Sequence, residues 1–361
     1  MGLLEFANFT VPDVVKKSIP SFYAKDPLLA ALRSKNKVVR SGGTNVRVPR
    51  IKSGHSDITE LNGTNLEIPL TKRETFDFAF GDWARVVKPI ILPHIDRDRM
   101  QSNSDKKRWV NDTTTAVMQS FHNSVSRQIY VGDVSTLTGL GTLNGGKTGL
   151  SSSGFESGAL QFLLPASQSG TYMNLSRNVD ANDEDNWYNQ FKEHTGFTTD
   201  YMKTAEELKI TADSYADDSE GISIAVTSIT NHVAIGDALR VYGTHQGIMY
   251  RPEDLESGKA HKTVYVINGV QYFSNRFMTN ARLTAAGAGG VGGTPDISGY
   301  VYLLNPNGIQ YYVNAGNDFR VTKFTDHTMH GNMDADVAFV FLEVQLAVQN
   351  PLIQACTSDN T

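Results

Sequence analysis

The longest helical pattern in the chain lies over residues 104–131. Its apolar positions recur about every 3.6 residues, with one threonine in the series: Val110, Thr114, Val117, Phe121 and Val125. Ser104 or Asp105 can cap its start, and Gly132 is a suitable residue just after its end. At about 1.5 Å per residue the predicted helix is about 40 Å long, well above the average for globular domains.

The first 40 residues predict an extended arm that carries one short helix. Asp26 is a good N-cap for that helix, and Pro27 suits its first position. Leu28, Leu29 and Leu32 then form its apolar face.

Residues 44–80 predict two β-type arms joined by a polar tip. The segments "VRVP" and "LEIPL" flank "SGHSDITELNGTN", which is rich in turn-forming residues. Two arms of this kind have too little apolar surface to fold alone. They therefore need a further surface to pack against.

From residue 221 onward the pattern becomes β-rich, after a short predicted helix over 200–212. The pairs Asn268-Gly269 and Asn307-Gly308 each predict a hairpin turn, because both residues accept a positive φ. The segment "DVAFVFLEVQLAVQNP" predicts one long buried strand that Pro351 ends. Together with the long helix, these strands predict an α+β protein.

Composition and charge narrow the classes of function. The 361 residues have a formal net charge of −5, which does not fit a dedicated DNA reader. The single cysteine, Cys356, follows the last predicted strand in a polar tail, and one thiol cannot form an internal disulfide. We find no signal-peptide pattern and no run of 18 apolar residues, so we expect no membrane partner.

The stretch "GTLNGGKT" matches the phosphate-binding P-loop pattern through Gly141, Gly146, Lys147 and Thr148. A working P-loop follows a buried strand and opens a helix, whose N–H groups bind the phosphates. Here a polar segment precedes the match, and a Gly/Ser-rich segment follows it. We interpret the match as a chance one in a loop, and a nucleotide-dependent enzyme that uses Lys147 is the least favoured alternative.

Two acidic segments contain residue types that occur at metal sites. In "NVDANDEDNW", Asp185 stands where an EF-hand loop needs glycine, and Phe191 stands where it needs glutamate. In "DHTMHGNMDAD", the candidate ligands lie in a predicted loop before the last strand: Asp326, His327, His330, Asp334 and Asp336. We interpret both segments as solvated loops and expect no metal, no cofactor and no enzymatic activity.

The order of these parts resembles the major capsid proteins of tailed double-stranded DNA bacteriophages, which have the Hong Kong 97-type fold. The segments that carry the resemblance are "PDVVKKSIPSFYAKDPLLAAL", "WARVVKPIILPHIDRDRM", "DKKRWVNDTTTAVMQSFHNSVSRQIYVGD", "GLGTLNG", "NWYNQF" and "VAFVFLEVQLAVQNPLIQA". Together they touch most of the chain. They match in pattern and order rather than in fixed residues.

The resemblance implies a division of the chain into parts. Residues 1–43 would form the N-terminal arm, and residues 44–82 would form the extended loop. The peripheral domain would combine 83–133, with its spine helix over 105–131, and 336–361. The axial domain would span 134–335, with a small β insertion around 220–285.

The resemblance also implies that the protein self-assembles through hexamers and pentamers into an icosahedral shell in the virion. Its partners would be other copies of itself, with scaffolding, portal and decoration proteins, near packaged double-stranded DNA. The residues proposed for subunit contacts are Leu28, Leu29, Arg47, Pro49, Glu67, Trp83 and Trp187. Alternatives from the same class are a nanocompartment shell and a tail component.

Overall fold

The computed structural model describes most of the two ends of the chain and parts of its middle. The described residues are 3–51, 76–99, 102–131, 171–172, 175–176, 188–216, 220–241, 265–276, 278, 299–326 and 334–359. Everything below refers to these ranges.

Six α-helices and sixteen strands lie in the described ranges. The helices are α1 (Leu3–Ala24), α2 (Pro27–Ser34), α3 (His94–Arg99), α4 (Asn103–Val131), α5 (Tyr201–Ser214) and α6 (Ile229–Val241). Helix α3 is the shortest, with six residues. The strands of the first half are β1 (Val38–Ser41), β2 (Asn45–Ile51), β3 (Phe76–Asp82), β4 (Ala84–Pro93), β5 (Thr171–Tyr172), β6 (Leu175–Ser176) and β7 (Gln190–His194). Those of the second half are β8 (Ile224–Thr227), β9 (Tyr265–Ile267), β10 (Val270–Ser274), β11 (Tyr300–Leu304), β12 (Ile309–Asn314), β13 (Arg320–Val321), β14 (Thr325–Asp326), β15 (Ala335–Val348) and β16 (Ala355–Asp359).

The first of two six-stranded sheets is built around β15. Strand β4 pairs antiparallel with β15 from Ala335 to Val344. Strands β12, β13 and β14 pair with the opposite edge of β15, and β1 adds to β12 in parallel. The predicted long, buried strand before Pro351 is therefore confirmed, and it forms the centre of this sheet.

The second six-stranded sheet has the strand order β7-β16-β11-β8-β10-β9. The predicted hairpin at Asn268-Gly269 joins β9 to β10, with φ values of 49° and 80° at these two residues. It is confirmed as a turn that needs positive φ at both central positions. The predicted helix over 200–212 is also present, as α5.

The chain crosses between the two sheets more than once, and two of these crossings touch each other. One crossing is a 3-10 turn, Pro306–Gly308, which joins β11 to β12. The other follows β15 and leads to β16. The Gln354 side chain joins them, because it accepts from Asn305 N–H and donates to Asn305 C=O, both at 2.8 Å. The hairpin predicted at Asn307-Gly308 is therefore wrong, since the strands on either side belong to different sheets.

The long helix is confirmed as α4, which has 29 residues. The helix begins at Asn103, before the predicted capping residues Ser104 and Asp105. Ser102 caps it instead, because Ser102 Oγ accepts from the Ser104 N–H at 3.2 Å. The buried side of α4 includes Phe121 and Val125 and belongs to the same core as β4 and β15.

The N-terminal segment is the largest difference from the predicted secondary structure. Instead of an extended arm, residues Leu3–Ala24 form a 22-residue helix that packs against α4. Pro12 and Pro20 lie inside it, and prolines normally argue against a helix interior. The helix forms because Ala7, Val11 and Val15 recur every four residues and are buried in the core.

Two further expectations are corrected. Residues 229–241, taken as part of a β insertion, form helix α6, and β8 lies inside the second sheet between β11 and β10. Cys356 does not lie in a polar tail, because it is a fully buried residue of β16. None of the helices described is both long and apolar enough to cross a membrane.

Candidate assembly surface

The hairpin of β2 and β3 carries the clearest outward surface among the predicted contact residues. The two strands pair antiparallel from Asn45 to Ile51, which confirms the predicted first arm, "VRVP", as part of β2. The predicted second arm, "LEIPL", lies outside the described residues, and the partner of β2 is β3. Val46 and Val48 are fully buried. Arg47, which lies between them, and Pro49, which follows Val48, are exposed. Side chains alternate between the two faces of a strand, so one face of the hairpin joins the core and the other points outward.

An apolar pair lies on the outward face of this hairpin. Phe78 of β3 is the cross-strand partner of Pro49 and is 47% exposed. Together with Arg47 these residues define what we call the hairpin face: Arg47, Pro49 and Phe78. Aromatic residues and arginine, both present on this face, are enriched at protein–protein contacts.

Trp83 fixes the base of the same hairpin. Its indole N–H donates to the Gly43 carbonyl at 3.0 Å, across the two ends of the hairpin. Its side chain is only half-buried. This placement fits a residue that supports the hairpin and leaves part of its ring available for contact.

Two of the predicted contact residues are corrected. Leu28 and Leu29 are both 0% exposed within the single chain, where α2 packs into the core. They stabilise the subunit itself and cannot contact a neighbour without unfolding α2. Glu67 and Trp187 lie outside the described residues.

Exposed apolar side chains also occur away from the hairpin. Phe9 on α1 is 71% exposed and Ile210 on α5 is 64% exposed. On α6, Ile229 and Val233 are 50% and 56% exposed and share one helix face at i and i+4. These are surfaces that association with another chain could bury.

The residues considered in the sequence as phosphate-binding, metal-binding or nucleophilic candidates lie only partly within the described ranges. The P-loop match at Gly141, Gly146, Lys147 and Thr148 lies outside the described residues, as do Asp185, His327 and His330. Phe191 is described and lies in β7, paired with Cys356 of β16. Burial raises the pKa of the Cys356 thiol well above its usual value, which suppresses the reactive thiolate.

The structure brings three of the predicted acidic candidates together around a residue that the sequence analysis did not consider. Asp326, Asp334 and Asp336 surround His94, the first residue of α3. Nothing in the sequence pattern connects His94 with residues so far along the chain. Only the antiparallel pairing of β4 with β15 places them side by side.

Comparison with known proteins gives a result at the level of the fold. No protein-family model matches the chain, and no curated protein matches its sequence. Among solved structures, the capsid asymmetric unit of cyanophage A-1(L) matches with a TM-score of 0.54 and 12% identity, covering 90% of each chain. The capsid of an empty GTA particle matches with a TM-score of 0.50 and 11% identity, covering 91% of this chain and 96% of that one.

These similarities define the fold of the protein. It is a mixed α+β fold of the capsid-protein class, as the two sheets, the long helix α4 and the hairpin already indicated. The particular fold is the Hong Kong 97-type capsid fold, which the resemblance predicted. At 11–12% identity the similarity carries the architecture rather than residue roles.

Proposed function

We propose that this protein is the major capsid protein of a tailed double-stranded DNA bacteriophage. In this role it assembles through hexamers and pentamers into an icosahedral shell that encloses the genome. The observation that carries the proposal is the structural match to the cyanophage capsid subunit, which extends over 90% of both chains rather than over one motif. No cofactor takes part in this function.

The parts of the fold suit a shell subunit. We assign the first sheet with α4 to the proposed peripheral domain and the second sheet to the proposed axial domain. Under this assignment β12–β14 would belong to the peripheral domain, because they lie in the first sheet, and β16 would belong to the axial domain. Residues 1–43 and 44–82 remain the proposed arm and extended loop, although α1 makes the arm largely helical.

The exposed apolar surfaces give a physical reason for self-association. Burying the hairpin face and the exposed side chains of α6 against copies of the same chain removes apolar area from water. Stable interfaces bury at least about 1,000 Å², and several small patches on one subunit reach that only through several neighbours. A closed shell supplies such neighbours.

The other proposed partners follow from the same role. Scaffolding, portal and decoration proteins would meet the assembled shell, and packaged DNA would lie close to its inner wall. The net charge of −5 suits a wall that does not bind DNA tightly. The protein would be made in the host cytoplasm and end in the virion.

The test is assembly of the purified full chain, examined by negative-stain electron microscopy and light scattering. We expect closed shells of uniform diameter, formed alone or with a scaffolding protein. A chain that stays monomeric at high concentration under both conditions would contradict the proposal. Uniform shells that enclose a protein cargo in the absence of any phage would instead indicate a nanocompartment.

A variant of the hairpin face tests which surface drives assembly. Phe78→Glu should block shell formation, because it places a charge where the neighbouring subunit would contact an apolar pair. Phe78→Tyr is the matched control, since it keeps the aromatic ring at the same exposed position. Circular dichroism of both variants checks that the fold is retained, and shells formed normally by the glutamate variant would exclude the hairpin face from assembly.

A further inference from the structure

Three carboxylates surround His94 at one end of the first sheet. His94 directly follows β4, and its backbone N–H donates to the Asp334 carbonyl at 3.1 Å. Three strands end or begin here, because Asp336 of β15 pairs with Leu92 of β4 and with Asp326 of β14. The cluster therefore joins segments that are distant in sequence.

One ring nitrogen of His94 has a clear partner. Its Nδ1 lies 2.5 Å from Asp334 Oδ1, a hydrogen-bond distance at which Nδ1–H donates to the carboxylate. A proton held on Nδ1 leaves the lone pair of the neutral ring on Nε2. This carboxylate–histidine arrangement is the one that orients histidine ligands at metal sites.

The other ring nitrogen faces two further carboxylates. His94 Nε2 is buried and has no hydrogen-bond partner. It lies 3.5 Å from Asp336 Oδ1 and 4.0 Å from Asp326 Oδ1. The Asp336 side chain is only 3% exposed, so its carboxylate lies in a low-dielectric environment.

The arrangement brings two carboxylates together at one ring nitrogen. Two carboxylates directly opposite each other on paired strands repel, and burial of one of them strengthens the repulsion. The Nε2 lone pair of a neutral ring, which faces both carboxylates, adds to the electrostatic repulsion. A cation bound between the three groups would offset this repulsion.

We propose that His94 Nε2, Asp326 and Asp336 bind a divalent transition-metal cation, for which Zn²⁺ is the probe. The three ligand atoms lie within 4.8 Å of one another, and no other group of three or more such ligands occurs in the described ranges. Ligands at about 2.0–2.2 Å from a tetrahedral zinc lie roughly 3.3–3.6 Å apart. The 3.5 Å between His94 Nε2 and Asp336 Oδ1 already lies in this range. The Asp326 side chain is 65% exposed and has room to move closer.

The ligand chemistry favours this class of ion. One imidazole with two carboxylates suits Zn²⁺ and its first-row neighbours better than Ca²⁺ or Mg²⁺, which prefer all-oxygen shells. Asp326 and Asp334 are mainly exposed, so solvent can reach the site and complete the coordination. The bound ion would connect the ends of β4, β14 and β15 and stabilise the sheet by mass action.

The experiment uses the purified full chain, treated with EDTA and then dialysed free of it. Isothermal titration with ZnCl₂ at neutral pH should show one site per chain, and the melting temperature should rise with the Zn²⁺ concentration. MgCl₂ at the same concentrations should give neither effect. The assay is independent of shell formation, so its failure does not bear on the proposed function.

Variants identify the ligands. Asp326→Asn should abolish the one-site Zn²⁺ binding and the Zn²⁺-dependent rise in melting temperature, and its exposed position preserves the fold. Asp334→Asn should weaken Zn²⁺ binding roughly 10- to 100-fold, because it removes the group that orients the ring. Asp112→Asn, an exposed carboxylate on α4, is the matched control and should bind Zn²⁺ as the unchanged chain does.

The proposal has clear contrary outcomes. It is overturned if the unchanged chain shows no one-site Zn²⁺ binding, or if Asp326→Asn binds Zn²⁺ as tightly as the control. The first result would show that these three groups do not form a metal site. The second would place any Zn²⁺ elsewhere on the chain.

Discussion

The Tyr130 hydroxyl, in the last turn of α4, donates a hydrogen bond of 2.9 Å to Oδ1 of Asp26. The same carboxylate oxygen accepts from Leu28 N–H at 3.0 Å and from Leu29 N–H at 3.3 Å, so it also caps α2. Asp26 is 2% exposed and Tyr130 is fully buried. Burial, and then the Asp26 carboxylate, hold the pKa of Tyr130 well above its usual value, so the phenol stays a donor.

We expect Tyr130→Phe to lower the free energy of unfolding by about 1.5–3 kcal/mol, the usual range for a hydrogen bond to a charged group. The substitution keeps the ring and removes only the donor to Asp26. Urea unfolding followed by circular dichroism measures the change. Tyr215→Phe, at a position that is 38% exposed, is the control and should change stability little. If the two variants lower the free energy of unfolding equally, the hydrogen bond from Tyr130 to Asp26 contributes nothing to stability.

Gly308 lies where the two crossings between the sheets meet. A Cβ at this position would stand 2.7 Å from Gln354 Nε2, 2.7 Å from Ile353 Cδ1 and 3.0 Å from the Asn350 carbonyl. We expect Gly308→Ala to destabilise the chain by about 1–3 kcal/mol, because one of these neighbours must move. The melting temperature measures this effect.

Gly42→Ala is the matched control for the change at Gly308. A Cβ at Gly42 meets nothing within 4 Å, so we expect almost no change in melting temperature. If Gly308→Ala melts at the same temperature as this control, the crossing is looser than the structure indicates.

His194 and His122 predict how stability depends on pH. Burial is the main cause that lowers the pKa of both below 6.5, and nearby carboxylates offset only part of it. The unfolded chain therefore takes up protons before the folded chain does. Stability is complete above about pH 6.5 and decreases as the pH falls from there through the folded pKa values.

The measurement is the melting temperature between pH 7.5 and 5.5, a window that lies above the usual range for carboxylates. We expect His194→Gln to reduce the loss of stability over this window, because glutamine does not titrate. Its effect at pH 7.5 gives the baseline cost of losing the contact between His194 Nδ1 and Thr357 Oγ1, which are 2.9 Å apart. An unchanged pH dependence in the variant would refute this role for His194.

Cys356 provides a probe of the second sheet. It is 0% exposed within β16, and burial raises its pKa well above the usual value. We expect the native thiol to react with a thiol reagent at least about 100-fold more slowly than the urea-unfolded chain, because the thiolate is the reacting species. Mass spectrometry over time measures the label, and fast labelling of the native chain would show that β16 leaves the sheet readily.

Much of the local structure could be predicted because its signals are short-range. The recurrence of Val110, Val117, Phe121 and Val125 identified α4, the capping residue Asp26 identified the start of α2, and Asn268-Gly269 identified a turn. Each signal depends on neighbours within a few residues. The prolines of α1 show the limit of such signals, because packing against α4 outweighed the local preference of Pro12 and Pro20.

The contact residues show a second limit. Leu28 and Leu29 are as apolar as an interface residue, and only the tertiary structure reveals that the subunit buries them itself. Arg47 and Pro49 were proposed as contact residues together with them, and these two lie on the outward face of the hairpin. A sequence indicates that a residue needs burial, but not whether its own chain or another supplies it.

The sequence by itself determined the order of the parts, the α+β class and the resemblance to capsid proteins, because periodicity and turn residues act locally along the chain. The tertiary structure alone decided which strands share a sheet, that Asn307-Gly308 crosses between sheets, and that His94 meets Asp326 and Asp336. These relationships depend on strand pairing between segments far apart in sequence. The free energy of such pairing comes from the packing of the whole core rather than from any local pattern.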